Sequence, residues 1–261
     1  MAQCADRAYV LKTHELGEAD LIVTLLTENR GSVRGVARSA RKSRRRFGGS
    51  LEPLTEVQAR WTERSGRDLH RIEALDLIRS HADLQADPGL HVVCAVLAEV
   101  AGHVVREAQP DPKGFRLLGA VLTALEGGLD PWIAIRYFEY WTIRLHGVLP
   151  DLESCGGCGR GFSGPGDRKV VSVRRGILCR DCARESGEGC KALGAAESEF
   201  LAAAASKPPE FMEPPLGVAR PGGALEALLR GTLEAFVERS FRAYRHLGLV
   251  EPRTASGSRE S

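Results

Sequence analysis

Two pairs of cysteines constrain the fold of this chain more than any other feature. Cys155 and Cys158 form one CxxC pair, and Cys179 and Cys182 form a second pair after twenty intervening residues. Thiolates two residues apart can bind one ion from a tight turn, and two such turns complete a tetrahedral zinc shell. Because four thiolates leave no open coordination position, we predict a structural zinc ion, Zn2+. A redox role for the pairs is the alternative, and it usually needs a βαβ context that the sequence lacks.

No signal peptide or membrane span is predicted, so we expect a reducing compartment, where cysteines rarely form disulfides. The chain has seven cysteines, and Cys4, Cys94 and Cys190 have no partner at metal-ligand spacing. No charged leader followed by an apolar run opens the sequence, and the most apolar window, residues 90–105, is too short to span a bilayer. We therefore expect a cytoplasmic protein without a membrane partner.

The N-terminal third of the sequence predicts a small β-barrel. Short alternating or apolar runs separated by turn residues indicate five strands. Five short strands are too few for a stable open sheet, and closure into a partly open barrel, the OB-fold, removes the exposed edges. Trp61 alternates with apolar neighbours, so we assign it to the core rather than to base stacking. The five strands are expected near residues 8–11, 21–26, 32–40, 57–62 and 69–78.

Helical periodicity begins after this barrel. Apolar residues recur at helical spacing in residues 90–105, 115–125 and 132–146, and a shorter helix is expected at 197–205. Several prolines in residues 208–221 then indicate an extended linker, before a last amphipathic helix at 223–248. The fold class is therefore α+β: an N-terminal OB-fold barrel at 1–81, then an α-helical bundle at 82–261 with the embedded Cys4 motif at 155–182.

A dense basic run follows the third predicted strand. The net charge of the whole chain is only +2, but residues 1–81 hold 15 Lys and Arg against 11 Asp and Glu. Residues 31–47, GSVRGVARSARKSRRRF, contain no acidic residue, and the second half has no apolar period, which is typical of a mobile loop. A phosphate backbone would relieve the repulsion between these cations. The predicted nucleic-acid contacts, which the family resemblance described below implies to be DNA contacts, are Arg34, Arg38, Arg41, Lys42, Arg44, Arg45 and Arg46.

Other functions remain open from the residues alone. The basic run is also consistent with a solvated loop, with an RNA-binding barrel and zinc ribbon of transcription or translation, or with an interaction scaffold that meets an acidic protein. An enzyme is the least favoured class, because the sequence contains no P-loop, GxSxG or HExxH motif.

Several segments resemble the RecO family of bacterial DNA repair and recombination mediators. They are AYVLKTHELGEADLIVTLLTENRGSVRGVARSARK, LHVVCAVLAEV and RYFEYWTIRLHGVLPDLESCGGCG, with a degraded closing segment ERSFRAYRHL. The order of barrel, bundle and Cys4 motif supports the resemblance, which covers nearly the whole chain.

The resemblance implies a role in the DNA damage response. It implies an OB-fold that binds single- and double-stranded DNA and anneals complementary strands. It also implies a helical domain that receives the acidic C-terminal tail of the single-stranded DNA-binding protein, SSB, and a complex with RecR that helps load RecA. A bidentate guanidinium suits the carboxylates of such a tail, so Arg116, Arg136 and the arginines of the last helix are candidates.

Overall fold

The structure is a computed structural model that describes residues 2–43, 47–63, 66, 69–162, 168–187, 189–213 and 222–250. By its internal contacts the chain divides into two compact units. The first, here called the barrel unit, comprises Met1–Leu122 and Phe241–Val250, and the second, the ribbon unit, contains Thr123–Ser240. The predicted boundary at residue 81 separates the barrel from the helices that follow it, and the barrel unit continues across this boundary.

Five strands close into a barrel with the order β1-β2-β3-β5-β4. Only the pairing between β3 and β5 is parallel, and the other neighbours are antiparallel. The OB-type barrel predicted from the sequence is confirmed. The strands are β1 (Gln3–Leu16), β2 (Asp20–Thr27), β3 (Gly31–Ala37), β4 (Glu56–Thr62) and β5 (His70–Arg79).

The core of the barrel contains the inward-facing side of every strand. Val23 and Leu25 of β2 alternate with outward neighbours, as do Val57 and Ala59 of β4. Trp61 lies in this core and is 1% exposed, so its assignment to packing is confirmed. Burial of these apolar side chains supplies the main driving force for closing the barrel.

A β-bulge at Leu11 divides the outer side of β1 into a covered part and an exposed part. The pairing with β2 shifts between Val10 and Lys12, which leaves Leu11 as the extra residue. Before the bulge, the ring of Tyr9 packs against Phe115 with 4.8 Å between centroids. After the bulge, Lys12 and His14 face outward and are exposed.

The loop after β3 is anchored on both sides of residues 44–46, which lie outside the described residues. Ala40 and Phe47 are buried in the barrel core, and Phe47 is 1% exposed. The hydroxyl of Ser50 donates to the carbonyl oxygen of Leu75 at 2.8 Å. The described parts of this loop therefore differ from the mobile loop predicted, because two apolar side chains attach it to the core.

Three helices follow the barrel: α1 (Ala82–Ala86), α2 (Pro88–Val104) and α3 (Pro112–Glu126). Helix α2 begins with Pro88, and the carboxylate of Asp87 accepts the N–H of Leu90 at 3.0 Å, which caps the helix. Its apolar side is buried, including Cys94 at 1% exposure. Among the described residues, no helix has the length and apolarity that crossing a bilayer would require.

The ribbon unit combines helices with a small sheet. Helix α4 (Pro131–Leu145) is capped by Asp130, whose carboxylate accepts the N–H groups of Trp132 and Ile133. The sheet has the order β7-β6-β8. The remaining elements are β6 (Val170–Ser172), β7 (Gly176–Leu178), α5 (Arg180–Glu185), β8 (Lys191–Ala192), α6 (Ala195–Ser206) and α7 (Ala224–Val237).

The range 223–248, predicted as one helix, contains two elements. Helix α7 ends at Val237 because Glu238 adopts a left-handed conformation, with φ of 54°. A 3₁₀ helix (Ala243–Leu249) then belongs to the barrel unit. Glu99 of α2 accepts the N–H groups of Arg242 at 2.9 Å and Ala243 at 2.7 Å, so these groups are satisfied without a continuing α-helix.

Candidate nucleic-acid interface and metal centre

The four paired cysteines meet in the ribbon unit. The sulfur atoms of Cys155, Cys158, Cys179 and Cys182 all lie within 4.8 Å of one another. The first pair occupies a loop before β6, and the second pair lies where β7 leads into α5. The predicted grouping is therefore present, and the four thiols could hold a metal ion.

The backbone shapes the first cysteine turn. The N–H groups of Gly157 and Cys179 point at the sulfur of Cys155, at 3.4 Å and 3.2 Å. A Cβ on Gly156 would overlap the carbonyl oxygen of Arg175, and one on Gly157 would lie 3.0 Å from the sulfur of Cys182. Gly156 thus lets the first cysteine turn approach the backbone of Arg175, and Gly157 lets it approach Cys182.

The ionisation of these thiols fits a cation site. Burial opposes ionisation of Cys155, but backbone donors, that of Cys179 foremost, lower the pKa of this thiol to about 6. Hydrogen bonds to the sulfurs of Cys179 and Cys158 raise the pKa of Cys182 to about 12. Four thiolates this close repel one another, and a bound divalent cation removes that cost.

The outer side of β1, β2 and β3 carries a row of cations, which we call the cationic face. In the sheet register Lys12 pairs with Thr24, and Thr24 pairs with Arg34. In the next row His14 pairs with Ile22, and Ile22 pairs with Val36. Lys12, His14 and Arg34 are exposed, while the aliphatic side chains between them are half-buried. The face therefore combines positive charge with apolar surface.

The pKa of His14 responds to the neighbouring charges of the cationic face. Burial lowers the pKa of its imidazole from the ordinary 6.5, and the charges of Lys12 and Arg34 lower it further. Three side chains from β1 and β3 are thus electrostatically coupled, as cross-strand neighbours on one face should be. An anion bound here would have the opposite effect on the imidazole.

The predicted DNA contacts fall into three groups in the structure. Arg34 lies on the cationic face, and Arg38 continues the same outward alternation into the turn after β3. Arg41 and Lys42 are exposed in that turn, and Arg41 lies 3.3 Å from the carboxylate of Glu15. Both members of this pair are well exposed, so we expect it to contribute little and to yield to a competing phosphate.

The three remaining predicted contacts, Arg44, Arg45 and Arg46, lie outside the described residues. Sequence reasoning missed Lys12 and His14. In the sequence, the apolar residues of β1 give way to polar ones after position 11. The outward direction of Lys12 and His14 depends on the bulge at Leu11, and this bulge is a property of the pairing with β2.

The expectation that Arg136 meets the carboxylates of a partner is wrong. Its side chain is 0% exposed, and it donates to both carboxylate oxygens of Glu139, at 2.7 Å and 2.6 Å. Glu226 of α7 lies 3.8 Å away and also accepts from Arg230. These charges hold α4 against α7 inside the ribbon unit. Arg116, the other named candidate, is exposed on α3.

Comparison with known proteins agrees with this architecture. Residues 1–81 match the family described as "Recombination protein O N terminal", and residues 86–208 match "Recombination protein O C terminal". The chain is 38% identical over 250 residues to the DNA repair protein RecO of Anaeromyxobacter sp. (strain K), which covers 93% of this chain and 95% of that protein.

Two further relatives carry the same name. Identity to the DNA repair protein RecO of Koribacter versatilis (strain Ellin345) is 41% over 152 residues, covering 58% of this chain and 62% of that protein. Identity to the DNA repair protein RecO of Myxococcus xanthus (strain DK1622) is 32% over 190 residues, covering 71% of this chain and 76% of that protein. The chain therefore belongs to the RecO family of DNA repair proteins.

Proposed function

We propose that this protein is a recombination mediator that binds single- and double-stranded DNA on its barrel and anneals complementary strands. The observation that carries the proposal is the cationic face, where Lys12 and Arg34 lie in one cross-strand row beside the turn with Arg38, Arg41 and Lys42. Cations arranged along one surface can contact several phosphates of one strand, and contacts of this kind do not depend on base sequence.

The proposed mechanism is electrostatic. Two complementary strands repel each other through their phosphates, and cations that screen this charge let the bases meet. Ile22 and Val36, half-buried between the charged side chains, offer apolar surface to bases that face the protein. No covalent bond forms or breaks in this mechanism, so we assign no enzymatic activity.

For the metal centre we propose a structural Zn2+. Four sulfur ligands from two short turns suit zinc, and they leave no coordination position for a substrate. When bound, the metal supplies a cross-link between the loop before β6 and the start of α5. The surrounding N–H groups of Gly157 and Cys179 hold the sulfur of Cys155 in place.

The proposal extends to the partners expected of the family. We propose that SSB, through its acidic C-terminal tail, and RecR bind this protein, that RecA is loaded on DNA as a result, and that the protein acts at the nucleoid in the cytoplasm. Arg116, exposed on α3, remains a candidate for the tail. Arg136 is removed from the candidates because its charge is already paired inside the ribbon unit.

Salt dependence of DNA binding tests the barrel site. If the five described cations each contact a single-strand phosphate, the plot of log affinity against log salt should have a slope of about −3 to −4. Changing Lys12 and Arg34 together to Ala should reduce the magnitude of this slope by about 1.4. Fluorescence anisotropy of a labelled oligothymidine measures it.

The matched control is Arg60→Ala, which removes an exposed arginine that pairs with Asp76 on β4 and β5. It should leave the slope unchanged. Equal slopes for the control and for the Lys12 and Arg34 variant would exclude the cationic face as the DNA site. Stronger binding to a matched RNA strand would instead favour an RNA-binding barrel, and binding without annealing would favour an interaction scaffold.

A further inference from the structure

A second set of exposed cations surrounds the candidate metal centre. The ribbon, defined as residues 151–193, contains eight Lys and Arg and four Asp and Glu among its described residues. Six of the basic residues are exposed arginines, and four of these lie in the turn between β6 and β7 or on α5. Among the described residues these four form no ion pair, unlike Arg136 and Arg230, which carboxylates neutralise. The four are Arg174, Arg175, Arg180 and Arg184.

The fold gathers these arginines around one cysteine turn. Arg174 and Arg175 lie in the turn between β6 and β7, where Ser172 pairs with Gly176. The backbone of Arg175 contacts Gly156 on one side of the Cys155–Cys158 turn. On its other side, Gly157 contacts the side chain of Cys182, which lies in α5.

The arginines on α5 share one side of the helix. Arg180 and Arg184 are four residues apart, so their side chains are neighbours on the helix surface. The Cys155–Cys158 turn therefore has an arginine pair on the hairpin beside it and a second pair on the adjoining helix.

We propose that these four residues, here called the arginine surface, form a second nucleic-acid contact, which binds the sugar-phosphate backbone of another strand. This inference rests on the proposed DNA function and extends it: annealing brings two strands together, and each of the two compact units would hold one. All four cations are arginines, whose planar guanidinium groups bind phosphate through two hydrogen bonds at once.

The chemistry of the surface favours a nucleic acid over an acidic protein segment. Protein interfaces use arginines as well, but they combine them with buried apolar or aromatic side chains. In the described part of the ribbon, Val173 is the only large exposed apolar residue, and it also contacts Gly231 of α7. Lys169 covers the ring of Phe162, with 5.2 Å from the ammonium to the ring centroid. A surface with charge and little apolar area suits phosphates.

The test measures capture of a second strand by the full chain. Two non-complementary oligothymidines, one with a donor and one with an acceptor dye, give energy transfer when one protein holds both. Changing Arg174 and Arg175 to Ala should strongly reduce the transfer, while the first oligonucleotide still binds through the barrel. Loss of two contacts should weaken binding of the second strand about twentyfold at about 0.1 M salt, and annealing should slow in parallel.

Three further variants keep the outcomes distinct. Arg174→Lys with Arg175→Lys should keep much of the transfer that the alanine variant loses, because both charges remain. Lys113→Ala with Lys207→Ala removes two exposed cations outside both surfaces and should change nothing. Metal content and circular dichroism of each variant verify that the ribbon is folded, and the pair Arg180→Ala with Arg184→Ala repeats the test from α5.

The possible results separate the two proposals. Normal transfer and annealing by both arginine-pair variants would overturn the second contact and leave the barrel site standing. Loss of transfer in these variants, with normal binding by the Lys12 and Arg34 variant, would support the arginine surface and overturn the barrel site. If the arginine variants keep transfer but lose binding to a polyglutamate peptide, the surface is a site for acidic protein and this inference is wrong.

Discussion

The substitution Gly156→Ala tests how the cysteine turn is built. A Cβ at this position would overlap the carbonyl oxygen of Arg175, and the N–H of Gly156 donates to the carbonyl oxygen of Ile177 at 2.8 Å. Both atoms belong to the β6–β7 hairpin, so neither can move as a flexible side chain would. The turn must therefore withdraw from the hairpin, which displaces Cys155 from the other three sulfurs.

The expected loss follows from these contacts. Displacing a ligand's support typically weakens metal binding 10- to 100-fold, which corresponds to about 1.4 to 2.7 kcal/mol. The broken hydrogen bond to Ile177, worth about 1 kcal/mol, would account for part of this loss. We expect the Gly156→Ala protein to release its metal to a chromophoric chelator at a 10- to 100-fold lower chelator concentration than the unchanged protein.

Gly161→Ala is the matched control. This glycine lies just after the same turn, and an added Cβ would be 3.9 Å from its nearest neighbour, the carbonyl oxygen of Glu153, which is an ordinary contact. Its metal release should equal that of the unchanged protein. If both alanine variants release metal equally, the close packing of the hairpin on the cysteine turn does not support the site, and the reasoning fails.

Two further predictions concern the barrel. Gly31→Ala should cost about 2 to 5 kcal/mol in urea unfolding, because φ is +73° and a Cβ would lie 2.7 Å from the carbonyl oxygen of Arg106. Gly17→Ala, at φ of +66° with open space around it, should cost only about 1 kcal/mol. Similar losses for both variants would refute the steric argument. The pKa of His14 is lowered in the folded protein, so between this lowered pKa and the ordinary 6.5 the unfolded chain binds more protons than the folded one. The free energy of unfolding should therefore decrease as the pH falls through this range. His14→Gln should reduce this pH dependence. A phosphate beside His14 favours the charged imidazole, so DNA affinity should rise over the same fall in pH, and a pH-independent affinity at constant salt would argue against contact at this face.

Much of the architecture follows from local sequence patterns. The cysteine spacing predicts the grouping of the four sulfurs, because two short turns can supply ligands whatever fold surrounds them. The alternation around Trp61 predicts its inward side, because the side-chain period of a strand is two. Such features depend on a few neighbouring residues, so one sequence is enough to predict them.

Features set by packing between distant segments could not be predicted. Phe47 stands in a run without apolar period, and only the closed barrel provides the core that buries it. Arg136 follows a helical pattern that normally leaves arginine at the surface, but Glu139 and Glu226 neutralise it in the interior. The bulge at Leu11 is equally invisible, because it is a property of the pairing between β1 and β2.

Packing between distant segments also decides which cations are available to a polyanion. Counting charges treats all arginines alike, but a guanidinium held by buried carboxylates cannot leave them for a phosphate without exposing an uncompensated charge, which costs several kcal/mol. Arg136 is in this position. Arg34 on β3 and Arg174 in the ribbon are exposed, and among the described residues they form no ion pair, so phosphate binding breaks no buried ion pair at either residue. The net charge of +2 is therefore a poor guide to the number of cations that a polyanion could contact, because it counts Arg136, which is neutralised in the interior, together with exposed arginines such as Arg34 and Arg174.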